Sequence, residues 1–148
     1  MGRVLRRNLP DGYFHVTARG VNGAEIFLVD LDRFDFLELL ERVTDRFGLR
    51  IFARCLMDTH YHLVVETATE KLSRAMQQLN GAYALRFNNR HERHGHVFGE
   101  RFRSRVIRSE AHLHAAVQYV VDNPAKAGAC RPDADWPWTA VDLGQLRS

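Results

Sequence analysis

His60-Tyr61-His62 sets two imidazoles two residues apart. On a β-strand that spacing sends both rings to one face, close enough to hold one metal ion, and turns Tyr61, Leu63 and Val65 to the other. An isolated His-x-His equally suits a pair of surface or cross-strand histidines, because two imidazoles do not complete a coordination sphere. Tyr119 and Asn123 are spaced by four residues, so on a helix they stack on one face. Asn123 carries a carbonyl oxygen suited to Mg2+ or Mn2+, and a tyrosine beside such a metal is a nucleophile. The plainer alternatives are a half-buried helix tyrosine and an ordinary helix end before Pro124. Spacing alone does not bring this segment to the histidine strand.

A third set is basic. Of the 21 Lys and Arg residues all but Lys71 and Lys126 are Arg, the better residue for bidentate phosphate contact and for stacking on bases. Seven Arg (86, 90, 93, 101, 103, 105 and 108) stand in one stretch against Glu92 and Glu100, so this stretch carries +5 of a net +3. The rest of the chain is therefore slightly acidic. His91, His94 and His96 lie in the same stretch with Phe87, Phe98 and Phe102 interleaved. Phosphates and base faces of a flexible polyanion can both be met by such a mixture. A solvated charged loop and strand edge is the plainer reading. A second metal on the three histidines is disfavoured, since a flexible Arg-rich loop is a poor ligand frame.

The elements that must position these residues follow from periodicity. Tyr13–Arg19 alternates and reads as a first strand after a Pro-Asp-Gly turn. From Asp30 to Phe47 the residues Leu31, Phe34, Leu37, Leu40, Val43 and Phe47 recur at helical steps, and Gly48 closes the segment. Residues 50–57 and 60–66 read as a hairpin around Asp58-Thr59. A helix is expected from Lys71 to about Asn89 with Leu72, Ala75, Met76, Leu79, Tyr83 and Phe87 inside. A fourth strand is expected over 102–108, and a helix from Glu110 to about Asp122, capped by Ser109 and stopped by Pro124. The tail, with Trp136-Pro137-Trp138, reads as a chain lying across the body.

The order β-α-β-β-α-β-α is that of an α+β, ferredoxin-like (RRM-like) split βαβ fold. It predicts an antiparallel sheet with helices mainly on one face and the other face free for a ligand. The 148 residues suit a single domain, with a basic N-terminal arm (1–12) and a C-terminal tail (125–148) packed on it. A hydrophobic share of 45% and a charged share of 26% exclude a disordered chain. No apolar run is long enough for a membrane span, and no secretory signal is visible. Cys55 and Cys130 form no CxxC, so neither a disulfide framework nor a zinc site is expected, and a reducing, cytoplasmic setting is.

Together the residues carry a resemblance. Cys55-Leu56-Met57-Asp58-Thr59-His60-Tyr61-His62-Leu63 resembles the His-hydrophobe-His (HUH) motif of the single-tyrosine Y1 transposases, and most of all those associated with repetitive extragenic palindromes and related to the IS200/IS605 group. Tyr119-Val120-Val121-Asp122-Asn123-Pro124 with Ala127-Gly128 resembles that family's Tyr-x-x-x-Asn-Pro segment. The stretches 95–102, Trp136-Pro137-Trp138 and His15-Val16-Thr17-Ala18-Arg19-Gly20 resemble its connecting, closing and first-strand segments. The likeness spans about residues 13–139 in order; each motif is weak singly and the ordered set is strong. The chain departs from the pattern at Asp58-Thr59, where Pro-Asn is usual, and at Gln118, where Arg commonly precedes the tyrosine.

The resemblance implies a metal-dependent single-stranded DNA endonuclease and strand transferase. Tyr119 would be the nucleophile, and His60, His62 and Asn123 would hold one Mg2+ or Mn2+. A 5′-phosphotyrosine intermediate would form at or near palindromic hairpins. DNA contacts would come from Arg101, Arg103 and Arg105, with Arg93, Arg108 and Arg19 beside them. It further implies a monomer rather than a homodimer, nucleoid-associated in the cytoplasm, whose activity falls below about pH 6 as the histidines protonate. The competing readings are a non-catalytic DNA-hairpin-binding protein with a vestigial HUH site and, ranked last, an RNA-binding ferredoxin-like domain.

Overall fold

Alternation builds the sheet, and each strand sends successive side chains to opposite faces. The computed structural model describes residues 8–132, 134–142 and 144; residues 1–7 of the basic arm and residues 133, 143 and 145–148 of the tail lie outside the described part. The strands are β1 (Tyr13–Arg19), β2 (Arg50–Leu56), β3 (His60–Glu66), β4 (Arg103–Val106) and β5 (Thr139–Val141), and the helices are α1 (Asp30–Phe47), α2 (Thr69–His91) and α3 (Glu110–Lys126). Every pairing is antiparallel, in the order β4-β1-β3-β2-β5. The first four strands thus have the split βαβ order expected from the sequence, and the fold is α+β.

On one face Phe14, Val16 and Ala18 of β1 and Tyr61, Leu63 and Val65 of β3 pack under α1 and α2. The α2 stripe from Leu72 to Phe87 is buried as its spacing predicts. On the second face, expected to be free, α3 lies across part of the sheet. Leu113, Ala116, Val117 and Val120 recur at helical steps and pack on Phe52, Cys55, Met57 and Val64. That half of the face is apolar, so burial in water demands a cover.

Three expectations are corrected. In α1, Leu31 and Phe34 are exposed (60% and 57%), while Asp32, Arg33 and Phe36 take the inner positions. The Asp32 carboxylate accepts from the Leu28 and Val29 amides, from Arg90 at 2.7 Å and from His91 at 2.9 Å. A carboxylate so fully hydrogen-bonded is tolerated inside, and the apolar period yields to it. Pro124 does not end α3, which continues to Lys126. A proline this near a helix end forfeits one backbone bond only, and Gly128 then closes the turn with φ +77°. The tail, lastly, does more than lie across the body: its residues 139–141 add β5 to the edge of β2.

That edge is tied down by Arg33. Its side chain, 8% exposed, reaches Asp58 at 2.6 Å and is surrounded by the rings of Phe27, Trp136 and Trp138 at 5.0, 5.8 and 5.3 Å. The Trp136 indole N–H donates to the Leu56 carbonyl, and Leu56 N–H donates to the Trp138 carbonyl. Helix α1, the tail and the turn that launches β3 therefore meet at one guanidinium. Gly20 holds the turn from the other side: its N–H donates to the Thr59 carbonyl, and a β-carbon there would come 2.0 Å from the Ala24 oxygen. Because Asp58 is 62% exposed, the ring contacts outweigh the ion pair. Arg33→Met is expected to lower stability to urea unfolding by about 2 kcal/mol, whereas Asp58→Ala costs under about 1 kcal/mol.

Candidate active site

The histidine strand and its neighbours present one continuous polar surface. Pairing sets Thr17 opposite His62 and Arg19 opposite His60, and Arg105 and Arg103 opposite His15 and Thr17. Since side chains alternate, His15, Thr17, Arg19, His60, His62, Arg103 and Arg105 share the face that α3 crosses. The apolar half of that face holds α3, and the polar half remains a cleft of about 520 Å³. His15, Arg19, His62, Arg103, Arg105, His112 and Tyr119 line it.

The Tyr119 side of α3 borders this cleft. The Tyr119 ring stands edge-on to His62 at 5.7 Å and to His15 at 5.6 Å between centroids, and Tyr119 remains 47% exposed. One turn further along, the Asn123 amide lies beside both His60 and His62. The structure therefore brings together the four residues that spacing alone left apart. The His60 and His62 rings are 5.0 Å apart and nearly perpendicular. His60 Nδ1 is 3.0 Å from Thr59 Oγ1, and His62 Nδ1 is 3.1 Å from His15 Nε2. A proton on each Nδ1 leaves both Nε2 lone pairs free, the tautomer that a metal ligand needs.

Electrostatics favour neutral rings. Burial pushes His62 down to about 3, with His60, His15 and Arg19 adding to the shift and the Asn123 amide opposing it. His60 is lowered by burial and then by Arg19, and His15 by burial, Arg105 and His112. His62 therefore stays neutral well below pH 6. Two buried atoms, His62 Nε2 and Asn123 Oδ1, have no hydrogen-bond partner. Two acceptor lone pairs left unmet beside a second imidazole would fit a divalent cation, which could supply the missing partner to each. Among the described residues no group of three His, Cys, Asp or Glu has metal-binding geometry, so a cation held by the two histidines would need the amide as third donor.

Of the predicted DNA-contacting arginines, Arg19, Arg103 and Arg105 line the cleft, and Arg101 lines an adjoining recess of about 340 Å³ that shares Arg19 and Arg103 with it. Arg93 instead lies over the Phe87 ring at 5.7 Å, and Arg108 lines neither hollow. Arg86 and Arg90 are used in ion pairs to Asp32, Asp35 and Glu38 of α1. Of the interleaved aromatics, Phe87 is buried in the core, while Phe98 and Phe102 are partly buried against the same core. His91 is bound to Asp32. Gln118, at the departure from the family pattern, donates to Asp122 at 2.9 Å. His15 was missed by the sequence reading of the site. The signal was available, since the split βαβ order puts β1 beside β3 and alternation then turns His15 toward His62.

Residues 9–123 match the family model described as transposase IS200 like. Nine solved chains are similar. One is a REP-associated tyrosine transposase bound to a REP hairpin, at 17% identity and TM-score 0.72, covering 90% of this chain and 79% of that one. Another is a putative transposase from Deinococcus radiodurans R1, at 18% identity and TM-score 0.53, covering 78% of this chain and 92% of that one. No curated protein matches the chain. At these identities the two structures bear on the fold alone.

The depressed histidines have a cost in acid. An unfolded His62 takes up a proton near pH 6.5 while the folded one resists until about 3, so stability is complete above pH 6.5 and falls as pH drops through that window. Urea unfolding at pH 7 and pH 5 should show the loss, and His62→Gln should reduce it. An equal loss in the variant would remove His62 as its source.

Proposed function

Because the chain belongs to the IS200-like transposase family, we propose that it cuts and rejoins single-stranded DNA with Tyr119 as nucleophile. The observation that carries this reading is the Tyr119 ring held against His62, whose buried Nε2 lacks a partner as does Asn123 Oδ1. His60, His62 and Asn123 would hold one Mg2+ or Mn2+, with remaining positions left to water and phosphate. When bound, the ion draws charge from the non-bridging oxygens of the scissile phosphate.

The Tyr119 oxygen attacks phosphorus in line; the P–O3′ bond breaks as the Tyr–O–P bond forms. The upstream strand leaves as a 3′-hydroxyl, and the downstream strand stays on Tyr119 through its 5′-phosphate. The phenol proton passes to water in the open cleft, for which the half-exposed ring is suited. A 3′-hydroxyl then attacks the same phosphorus and expels Tyr119. A phenol, with pKa near 10, leaves far more readily than an alkyl alcohol, so the exchange needs no external energy source. Arg19, Arg103 and Arg105 hold flanking phosphates along the cleft, and Arg101 extends the basic wall. Similarity to a REP-associated tyrosine transposase solved with a REP hairpin supports a palindromic hairpin beside the cleavage site; a monomer would bind it here.

A 3′-labelled single strand carrying a hairpin, incubated with Mn2+, should yield a labelled protein band on a denaturing gel. Chelator or Tyr119→Phe should abolish the band while leaving hairpin binding within about threefold. Binding with no band across a varied oligonucleotide pool would instead identify a binding protein with a vestigial site. Arg103→Ala and Arg105→Ala should weaken DNA binding whatever the sequence. Each should lower the slope of log affinity against log salt by about 0.7.

A further inference from the structure

We propose that His15 is a positioning residue: its hydrogen bond with His62 sets the tautomer and rotation of that ring, so that His62 presents a bare Nε2 to the cation. The inference rests on the metal-site reading above and assigns a role within it to a residue of a different strand.

His62 Nδ1 and His15 Nε2 are 3.1 Å apart, and His62 is 2% exposed, so water does not compete freely for the His62 atom. A neutral imidazole has one N–H, and in a bond between two such rings one must donate and the other accept. If His15 donated, His62 would carry its proton on Nε2, and no lone pair would remain there for a cation. If His62 donates from Nδ1, its Nε2 is a bare acceptor, which is the buried atom found without a partner. Only the second arrangement leaves a lone pair on His62 Nε2 beside the Asn123 carbonyl oxygen, so that one cation could take both. His60 has the same form of support, its Nδ1 facing Thr59 Oγ1 at 3.0 Å; the two ligand rings are thus oriented by different elements.

Geometry adds rotation. The bond runs diagonally between strands, since His15 pairs with Val64 and His62 with Thr17. The two rings tilt by 38° at 5.3 Å, and the His15 ring also meets the Tyr119 edge. His15 therefore touches a ligand and the nucleophile at once, and a backbone ladder between β1 and β3 holds its distance. Loss of an outer partner of this kind typically weakens metal binding about 10–100-fold.

Two variants separate the role from mere packing. His15→Phe keeps a ring against Tyr119 but removes the acceptor; His15→Gln restores an acceptor oxygen. Long-range 15N correlation spectra of the metal-free proteins read the His62 tautomer, and electron paramagnetic resonance of free Mn2+ reads affinity without DNA. In the unsubstituted protein His62 should be protonated on Nδ1. With His15→Phe that tautomer should be lost or mixed, and Mn2+ should bind about 10–100-fold more weakly. The folded circular dichroism spectrum should be retained, and His15→Gln should recover most of the Mn2+ affinity. A His15→Phe protein that keeps both the tautomer and the Mn2+ affinity would overturn the proposal, as would an unsubstituted His62 protonated on Nε2. Absence of Mn2+ binding by the unsubstituted protein, with the Nδ1 tautomer in place, would overturn the metal site and leave the orientation of His62 by His15 supported.

Discussion

The site depends on how α3 sits on a sheet face that is apolar on one half and polar on the other. Phe52, Cys55, Met57 and Val64 must be covered, and the Leu113–Val120 stripe covers them. Covering them fixes the rotation of α3 about its own axis. Tyr119 and Asn123, adjacent to the stripe, then fall at the border where the apolar half gives way to histidines and arginines. Chemistry on this helix needs no dedicated scaffold, because burial of the neighbouring apolar residues positions the polar ones. Shifting the stripe by one residue would turn Tyr119 by about 100° and take it from His62.

A second constraint acts on the strand that supplies the histidines. The turn before His60 is held by Gly20 and by the Ile26 and Phe27 amides, which donate to the Asp58 carbonyl. Its Asp58 side chain is engaged by Arg33. This explains how Asp58-Thr59 serves where Pro-Asn is usual: Asp58 gains an anchor, and Thr59 places a hydroxyl at His60 Nδ1. The C-terminal tryptophans belong to the same device, since they enclose Arg33 and extend the sheet beyond β2. Opposite charges elsewhere are spent on packing helices. Asp32, buried and fully hydrogen-bonded, joins α1 to α2 through Arg90 and His91.

Much of this was legible from local pattern. Strand and helix spans from Tyr13 to Glu66 follow from alternation and from three- and four-residue steps, and the HxH spacing alone puts His60 and His62 on one face. Where the reading of local pattern failed, a long-range partner decided. Leu31 and Phe34 point outward because Asp32 and Arg33 found buried partners. The tail became a strand because the β2 edge had unpaired backbone groups to offer. Phe87 entered the core because α2 turns it toward the sheet with the rest of its apolar stripe.

Residue types, their order and their periods determined the element succession, the α+β class, the membership of His60 and His62 in one face and that of Tyr119 and Asn123 in another. They did so because period 2 and period 3.6 are properties of the chain itself. Tertiary structure alone decided that these two faces meet, that His15 bonds His62, and that only some of the arginines line the cleft. Those outcomes depend on strand order, on which half of a sheet face is apolar, and on acidic partners drawn from distant segments. No local spacing encodes them.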